Sequence, residues 1–162
     1  MHVLMISLDA SVLTSAIGDN RKRHEAYATM IDGQISMAIC NRRSGLDGFR
    51  QERLAAQPTE SGGYAGYLRD GYRVAMAFHR ERPVDVIAAQ DPFLTALIGL
   101  AVRQRTGAKL IIQDHASMFS SRYYAAESWR NRIAAITGRL TVRFADAVRV
   151  LNRRERLKLV KL

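Results

Sequence analysis

His115 is the residue whose type and setting most suggest chemistry. It follows Gln113-Asp114 at the end of an apolar run, Ala108 to Ile112, and opens a serine-rich loop that contains Ser117. An imidazole placed there can hydrogen-bond a hydroxyl or a phosphate oxygen. The plainer reading is a histidine that satisfies loop backbone groups. A second apolar run, Val84 to Ala89, stops on the same dipeptide, Gln90-Asp91. The repetition makes Gln90, Asp91, Gln113, Asp114 and Ser117 candidates for binding a substrate beside a catalytic His115. Asp91, standing just before Pro92, also reads as an ordinary helix N-cap. Earlier in the chain, Gly18 and Asp19, with Arg23 and His24, fall in the loop and first turn after the first apolar segment. Backbone N–H groups often cradle phosphates at such a place, which adds Gly18 and Asp19 to the binding candidates.

Both Gln-Asp pairs need elements that bring them together. Apolar runs of this length, bounded by Pro and Gly, read as strands buried on both faces. The stretch between them, Pro92 to Gly107, reads as a helix: Asp91 caps it, Pro92 suits its first position, and Gly107 suits the residue just past its end. Strand, helix and strand make a βαβ unit with parallel strands, and both pairs then lie at the carboxyl ends, where ligands bind in open α/β sheets. Further strands are expected at Val3 to Leu8, Gln34 to Cys40 and Ala145 to Leu151, with a short one around Leu54 to Ala56. Helices are expected at Asp19 to Ile31 and Tyr64 to Arg82. Asn41 to Gly63 reads as an irregular surface loop, and Asn152 with Glu155 resembles a capping box opening a last helix. The fold class is α/β: a Rossmann-like parallel sheet with helices on both faces, ordered 3-2-1-4-5-6, in one domain over residues 1–162.

Composition narrows the function. The single cysteine, Cys40, ends an apolar run and can form no internal disulfide, which favours a buried inert thiol and a reducing compartment. Met1 to Ala16 lacks the basic start of a signal peptide, and Asp9 interrupts it. The longest apolar region, Val84 to Val102, is broken by Asp85, Gln90, Asp91 and Pro92, so no membrane-spanning helix is expected. There is no G-x-G-x-x-G, no P-loop signature, no G-x-S-x-G elbow and no metal-ligand spacing. Charge is unevenly placed. Residues 1–102 carry 11 Lys+Arg against 11 Asp+Glu, whereas residues 103–162 carry 14 against 4, so the whole excess of +10 lies in the last third. An anionic neighbour is implied: a phosphate-bearing ligand, an acidic membrane, an acidic partner or nucleic acid. Nucleic acid is disfavoured, because no aromatic stacking platform or recognition motif is present.

From Glu127 to Phe144 the spacing predicts a helix. At about 100° per residue, Trp129, Ile133, Ile136, Leu140 and Phe144 share one stripe, edged by Arg132, Arg139 and Arg143. Such a helix either packs its stripe on the sheet with solvated arginines, or presents a basic amphipathic surface to anionic lipid headgroups.

Taken together, Val84-Asp85-Val86-Ile87 with Gln90-Asp91-Pro92-Phe93, Gly99-Leu100, Lys109 to His115, and Ala145-Asp146-Ala147-Val148-Arg149-Val150 resemble the N-terminal half of family 4 glycosyltransferases, most closely the bacterial branch that makes cell-surface polysaccharide. The resemblance implies one half of a GT-B fold, shaped for the acceptor, whose partner half binds a nucleotide-sugar. It further implies sugar transfer with retention of configuration and without a bound metal or other cofactor. His115 matches the family's cleft histidine, which contacts the donor sugar, and Gly18 matches the loop that approaches the donor phosphates. Paired glycines usual in that loop are replaced here by Thr14-Ser15-Ala16-Ile17-Gly18. The family's donor-binding half, with its Glu-x7-Glu motif, has no counterpart after Leu162; Glu52 and Glu60 share that spacing by coincidence. The implied function is the acceptor-side domain of a retaining enzyme acting on a glycan or lipid-linked acceptor in envelope polysaccharide synthesis, inactive as an isolated chain. Its missing C-terminal domain is expected in cis or in trans, and its location is the cytoplasm, with peripheral contact to the inner face of the plasma membrane. A different class of function also fits: a non-catalytic binding module or split-enzyme subunit that docks an anionic membrane or protein partner.

Overall fold

Alternation along each strand divides the molecule into two cores. The computed structural model describes residues 1–14, 19–115 and 121–160. Its strands are β1 (His2–Ser7), β2 (Gln34–Ile39), β3 (Phe49–Arg50), β4 (Leu54–Pro58), β5 (Val86–Ala89), β6 (Lys109–Asp114) and β7 (Ala147–Val150). Leu4 and Ile6 of β1 face one layer together with Ala38, Ile87, Ala89, Leu110 and Ile112. Met5 faces the other, with Ile35, Met37, Ile39, Leu54, Ala56 and Ala88. Strand residues of period two cannot do otherwise.

The strands make one sheet in the order β3-β4-β2-β1-β5-β6-β7. Every pairing is parallel except the antiparallel β3–β4 edge. The helices are α1 (Ser11–Thr14), α2 (Asp19–Met30), α3 (Tyr64–Glu81), α4 (Leu94–Thr106), α5 (Arg122–Glu127), α6 (Trp129–Arg143) and α7 (Arg153–Leu159). Helices α3 and α4 cover the first face, contributing Tyr67, Val74, Phe78, Ile98 and Val102 to its core. They approach closely at Gly71, where a Cβ would stand 2.7 Å from Ile98 Cδ1 and 3.0 Å from Cys40 Sγ. Cys40 is buried in that layer as expected, and desolvation pushes its thiol up to about 12, which disfavours the thiolate. The second face is covered by α1 and α2 through Val12 and Ala28.

Expected elements recur with adjustments. Gly107 ends α4 at φ 75°, and Asn152 caps α7 by accepting from Glu155 N at 3.0 Å. The helix expected from Glu127 to Phe144 is α6, which starts two residues later because Ser128 is extended and caps it by accepting from Asn131 N at 3.1 Å; the short α5 precedes it. Within the expected irregular loop the short strand lengthens to β4, and β3 pairs with it; Gly48 permits this, since a Cβ there would lie 2.7 Å from the Ala56 carbonyl oxygen.

At the amino-terminal edge of the sheet, His2 is fully enclosed. Its Nε2 lies 2.9 Å from Ser36 Oγ and its Nδ1 3.0 Å from the Arg82 carbonyl oxygen. Burial is the largest influence on both His2 and His24 and lowers each below the ordinary 6.5, outweighing the carbonyl contacts that raise them. The unfolded chain therefore takes up protons on these rings as pH falls through 6.5 while the folded chain resists, and the stability present above that pH is lost below it. The melting temperature should drop as pH is lowered from 7 towards 5, and His2→Gln should flatten that dependence. Thermal melts across this range that keep the same pH slope in the variant would refute the assignment.

Candidate functional site

The strands β1, β5, β6 and β7 are parallel, so their carboxyl ends line one edge, and register sets Ile6 beside Ala89, Ala89 beside Ile112, and Gln113 beside Arg149. Order reverses between β1 and β5, the kind of position at which open α/β sheets bind ligands. On the face that carries α2, a cavity of about 390 Å³ opens there. Its floor is Val3, Met5, Ile35, Met37 and Ala88, and its polar wall is Ser7, Asp9, Gln90, Gln113, His115 and Arg149, with Asn20, Arg23, His24 and Tyr27 contributed by α2.

Three of the candidates named from sequence, Gln90, Gln113 and His115, therefore meet in one cavity. Asp91 and Asp114 do not line it. Successive residues of a strand point to opposite faces, so each carboxylate of the repeated dipeptide turns to the layer of α4. Asp91 there accepts from Phe93 N at 2.7 Å and from Thr95 N at 3.3 Å, and its own N–H donates to Thr95 Oγ1 at 2.9 Å. The N-cap itself is Phe93, since α4 starts at Leu94 and not at Pro92, and Asp91 holds the first turn from two residues ahead of it. Asp114 is 3% exposed at the end of β6. Gly18 and Ser117 lie outside the described residues, and Asp19 is the first residue of α2. Arg132, Arg139 and Arg143 stand on α6, apart from the cavity lining.

Arg23 and His24, noted beside Gly18 and Asp19 in the sequence, line the cavity, and Asp9, Asn20 and Arg149 enter it without having been singled out. Asp9 organises the loop after β1: its N–H donates to Ser7 Oγ at 3.0 Å, and its carboxylate accepts from Ser11 N at 2.8 Å and, more distantly, from the Asn20 amide at 3.4 Å. Asn20 Oδ1 in turn accepts from Arg23 Nη2 at 2.7 Å. His24 Nδ1 stands 2.7 Å from the Asn20 carbonyl oxygen. A carbonyl only accepts, so Nδ1 carries the proton; with the ring kept neutral by burial, Nε2 is the acceptor. Arg149 Nη1 donates to Gln113 Oε1 at 3.2 Å and so orients that amide with its NH2 turned from the guanidinium. The available signal for Arg149 was an arginine set between Val148 and Val150 at the strand position in phase with the cavity.

Amides, hydroxyls and imidazoles that both donate and accept over an apolar floor suit a polyhydroxylated ligand, and the two arginines add positive charge at the rim. Among the described residues, no group of three His, Cys, Asp or Glu side chains is placed to hold a metal ion.

Comparison with known proteins adds an independent line. A family model described as a glycosyl transferase 4-like domain matches residues 10–162. Two structures of sucrose-phosphate synthase from Thermosynechococcus elongatus share the fold. One superposes with a TM-score of 0.68 at 15% identity, covering 98% of this chain and 81% of that one. The other gives 0.72 at 14% identity, covering 99% of this chain and 45% of that one. The chain thus spans less than half the length of the longer structure. Comparison with curated proteins gave no match.

The two residues of the first Gln-Asp pair should separate cleanly in stability. Asp91→Ala removes the side chain that holds the first turn of α4 and should cost about 1 kcal/mol, whereas Gln90→Ala should stay within about 0.5 kcal/mol of the parent. Urea unfolding of both variants checks this, and equal losses would contradict the opposed orientations.

Proposed function

Because the chain belongs to the glycosyl transferase 4-like domain family, we propose that it forms the acceptor side of a retaining glycosyltransferase that works opposite a donor-binding domain. The observation that carries this reading is the convergence of Gln90, Gln113 and His115 on one cavity at the switch point of the sheet. In the proposed reaction an acceptor hydroxyl oxygen bonds to the anomeric carbon of a nucleotide-sugar. The bond from that carbon to the diphosphate breaks, the electron pair leaves on phosphate, and the hydroxyl proton follows to the phosphate oxygen. Retention requires the new bond to form on the face from which the old one departs.

His115 is assigned to hydrogen-bond a hydroxyl of the transferred sugar, holding its anomeric carbon towards the acceptor. Gln90 and Gln113 orient the acceptor, because an amide offers both a donor and an acceptor to adjacent hydroxyls. Arg23 and Arg149 draw anionic substrates to the mouth. A glycan or lipid-linked acceptor in cell-envelope polysaccharide synthesis fits this lining and the basic last third of the chain.

The test is made in the complete enzyme, with the transferred sugar's configuration read from the proton coupling of the product. His115→Ala should lower kcat/KM by about 100-fold or more, and Gln113→Ala should raise the acceptor KM by about 3- to 10-fold with a smaller change in kcat. Unchanged kcat/KM in the His115 variant would sink the assignment, and an inverted product would sink the retaining mechanism.

A further inference from the structure

Helix α6 turns its apolar side away from the protein. Trp129, Ile133, Ile136, Leu140 and, at the cap, Phe144 are each between 51% and 68% exposed. The residues that face inward are Ala135, Gly138 and Thr141, the last donating from Oγ1 to the Pro92 carbonyl oxygen at 2.6 Å. At about 100° per residue the two sets lie on opposite sides of the helix. Of the two orientations open from the sequence, the structure therefore has the stripe outward, not on the sheet. Arg132, Arg139 and Arg143 run along one rim of it, and Arg130 stands on the other, 5.5 Å from the Trp129 ring. No acidic residue occurs from Trp129 to Phe144.

We propose that α6 is a membrane-docking helix that lies in the plane of an anionic lipid surface. An apolar stripe one helix wide, with guanidiniums on both rims and no carboxylate, matches what that surface offers. Ile133, Ile136 and Leu140 enter the acyl boundary, arginine stems lie along it, and the guanidiniums meet headgroup phosphates. Trp129 sits at the headgroup level that its amphipathic ring favours. A protein groove of ordinary composition would place carboxylates opposite only some of Arg130, Arg132 and Arg139, whereas an anionic leaflet meets all three. A helix of 15 residues with one apolar stripe and arginines on both rims lies in the plane of such a surface. Docking by α6 is independent of sugar transfer; either stands if the other fails.

Trp129 is the only tryptophan of the chain, so its fluorescence reports the event directly. The 162-residue chain is mixed with vesicles of phosphatidylcholine alone or with about one third phosphatidylglycerol, followed by flotation and emission spectra. Flotation and a blue shift are expected only with the anionic vesicles, weakening as salt rises from about 0.1 M to about 1 M. Arg132→Gln/Arg139→Gln should weaken binding roughly 25-fold, and Ile133→Ser/Leu140→Ser should abolish the blue shift. Both variants change exposed side chains and should melt with the parent. No binding to anionic vesicles, equal binding to neutral ones, or indifference to both variants would overturn the proposal. So would a lipid-free protein in which α6 is already covered, seen as a dimer that Ile133→Ser/Leu140→Ser dissociates, or as slow hydrogen exchange across α6 that the same variant releases.

Discussion

A right-handed crossover puts its helix on one face of a parallel sheet when the chain steps one way, and on the opposite face when it steps the other. Here β1 to β2 steps one way through α2, and β5 to β6 to β7 steps the other through α4, α5 and α6. The two sets of helices accordingly separate, and over β5, β6 and β7 the face that carries α2 has no helix among the described residues. Ile111 and Gln113 are only half-buried for this reason, in contrast to Leu110 and Ile112 on the other face. The cavity is that uncovered ground, bounded on one side by α2 and on the other by the last strand.

Electrostatic anchoring keeps the last strand in place. Asp146, immediately before β7, accepts from Leu110 N at 2.9 Å, Lys109 Nζ at 3.0 Å and Arg103 Nε at 3.1 Å. These contacts, the backbone N–H first, hold its carboxyl at about 2. One of the few acidic residues in the basic third thus ties β7 to β6 and α4 and fixes the phase in which Arg149 reaches Gln113. A comparable arrangement orders the long loop after β2: Glu60 accepts from the Ser44 and Gly45 N–H groups at 2.8 and 2.9 Å and also from Asn41. It does so from a left-handed backbone at φ 49°, and its carboxyl is likewise held at about 2.

Local pattern made much of this legible. The βαβ unit, the α4 terminator Gly107, the cap of α7 and the edge that gathers Gln90, Gln113 and His115 all follow from apolar periodicity and punctuation. Other features depend on partners distant in sequence. The Glu60 contacts reach back 15 to 19 residues, so the loop looks irregular when read locally. The helical wheel shows the stripe of α6 but not its direction, which is set by the burial of Ala135, Gly138 and Thr141 and by the bond from Thr141 to the Pro92 carbonyl oxygen ahead of α4. Asn20 and His24 join the cavity only because α2 packs back on β2 and β4 and borders the cavity from there. The Asp of each Gln-Asp pair, by contrast, is separable from sequence alone once strand parity is applied to the dipeptide.

That parity makes each dipeptide sensitive to insertion. A single residue gained or lost within β5 or β6 would exchange the neighbours, turning a carboxylate into the cavity and an amide into the layer of α4. Recognition and helix capping would fail in the same event, although they reside on different side chains. A change of length should therefore be tolerated only in the loops, while the strands that end at Ala89 and Asp114 must keep their count.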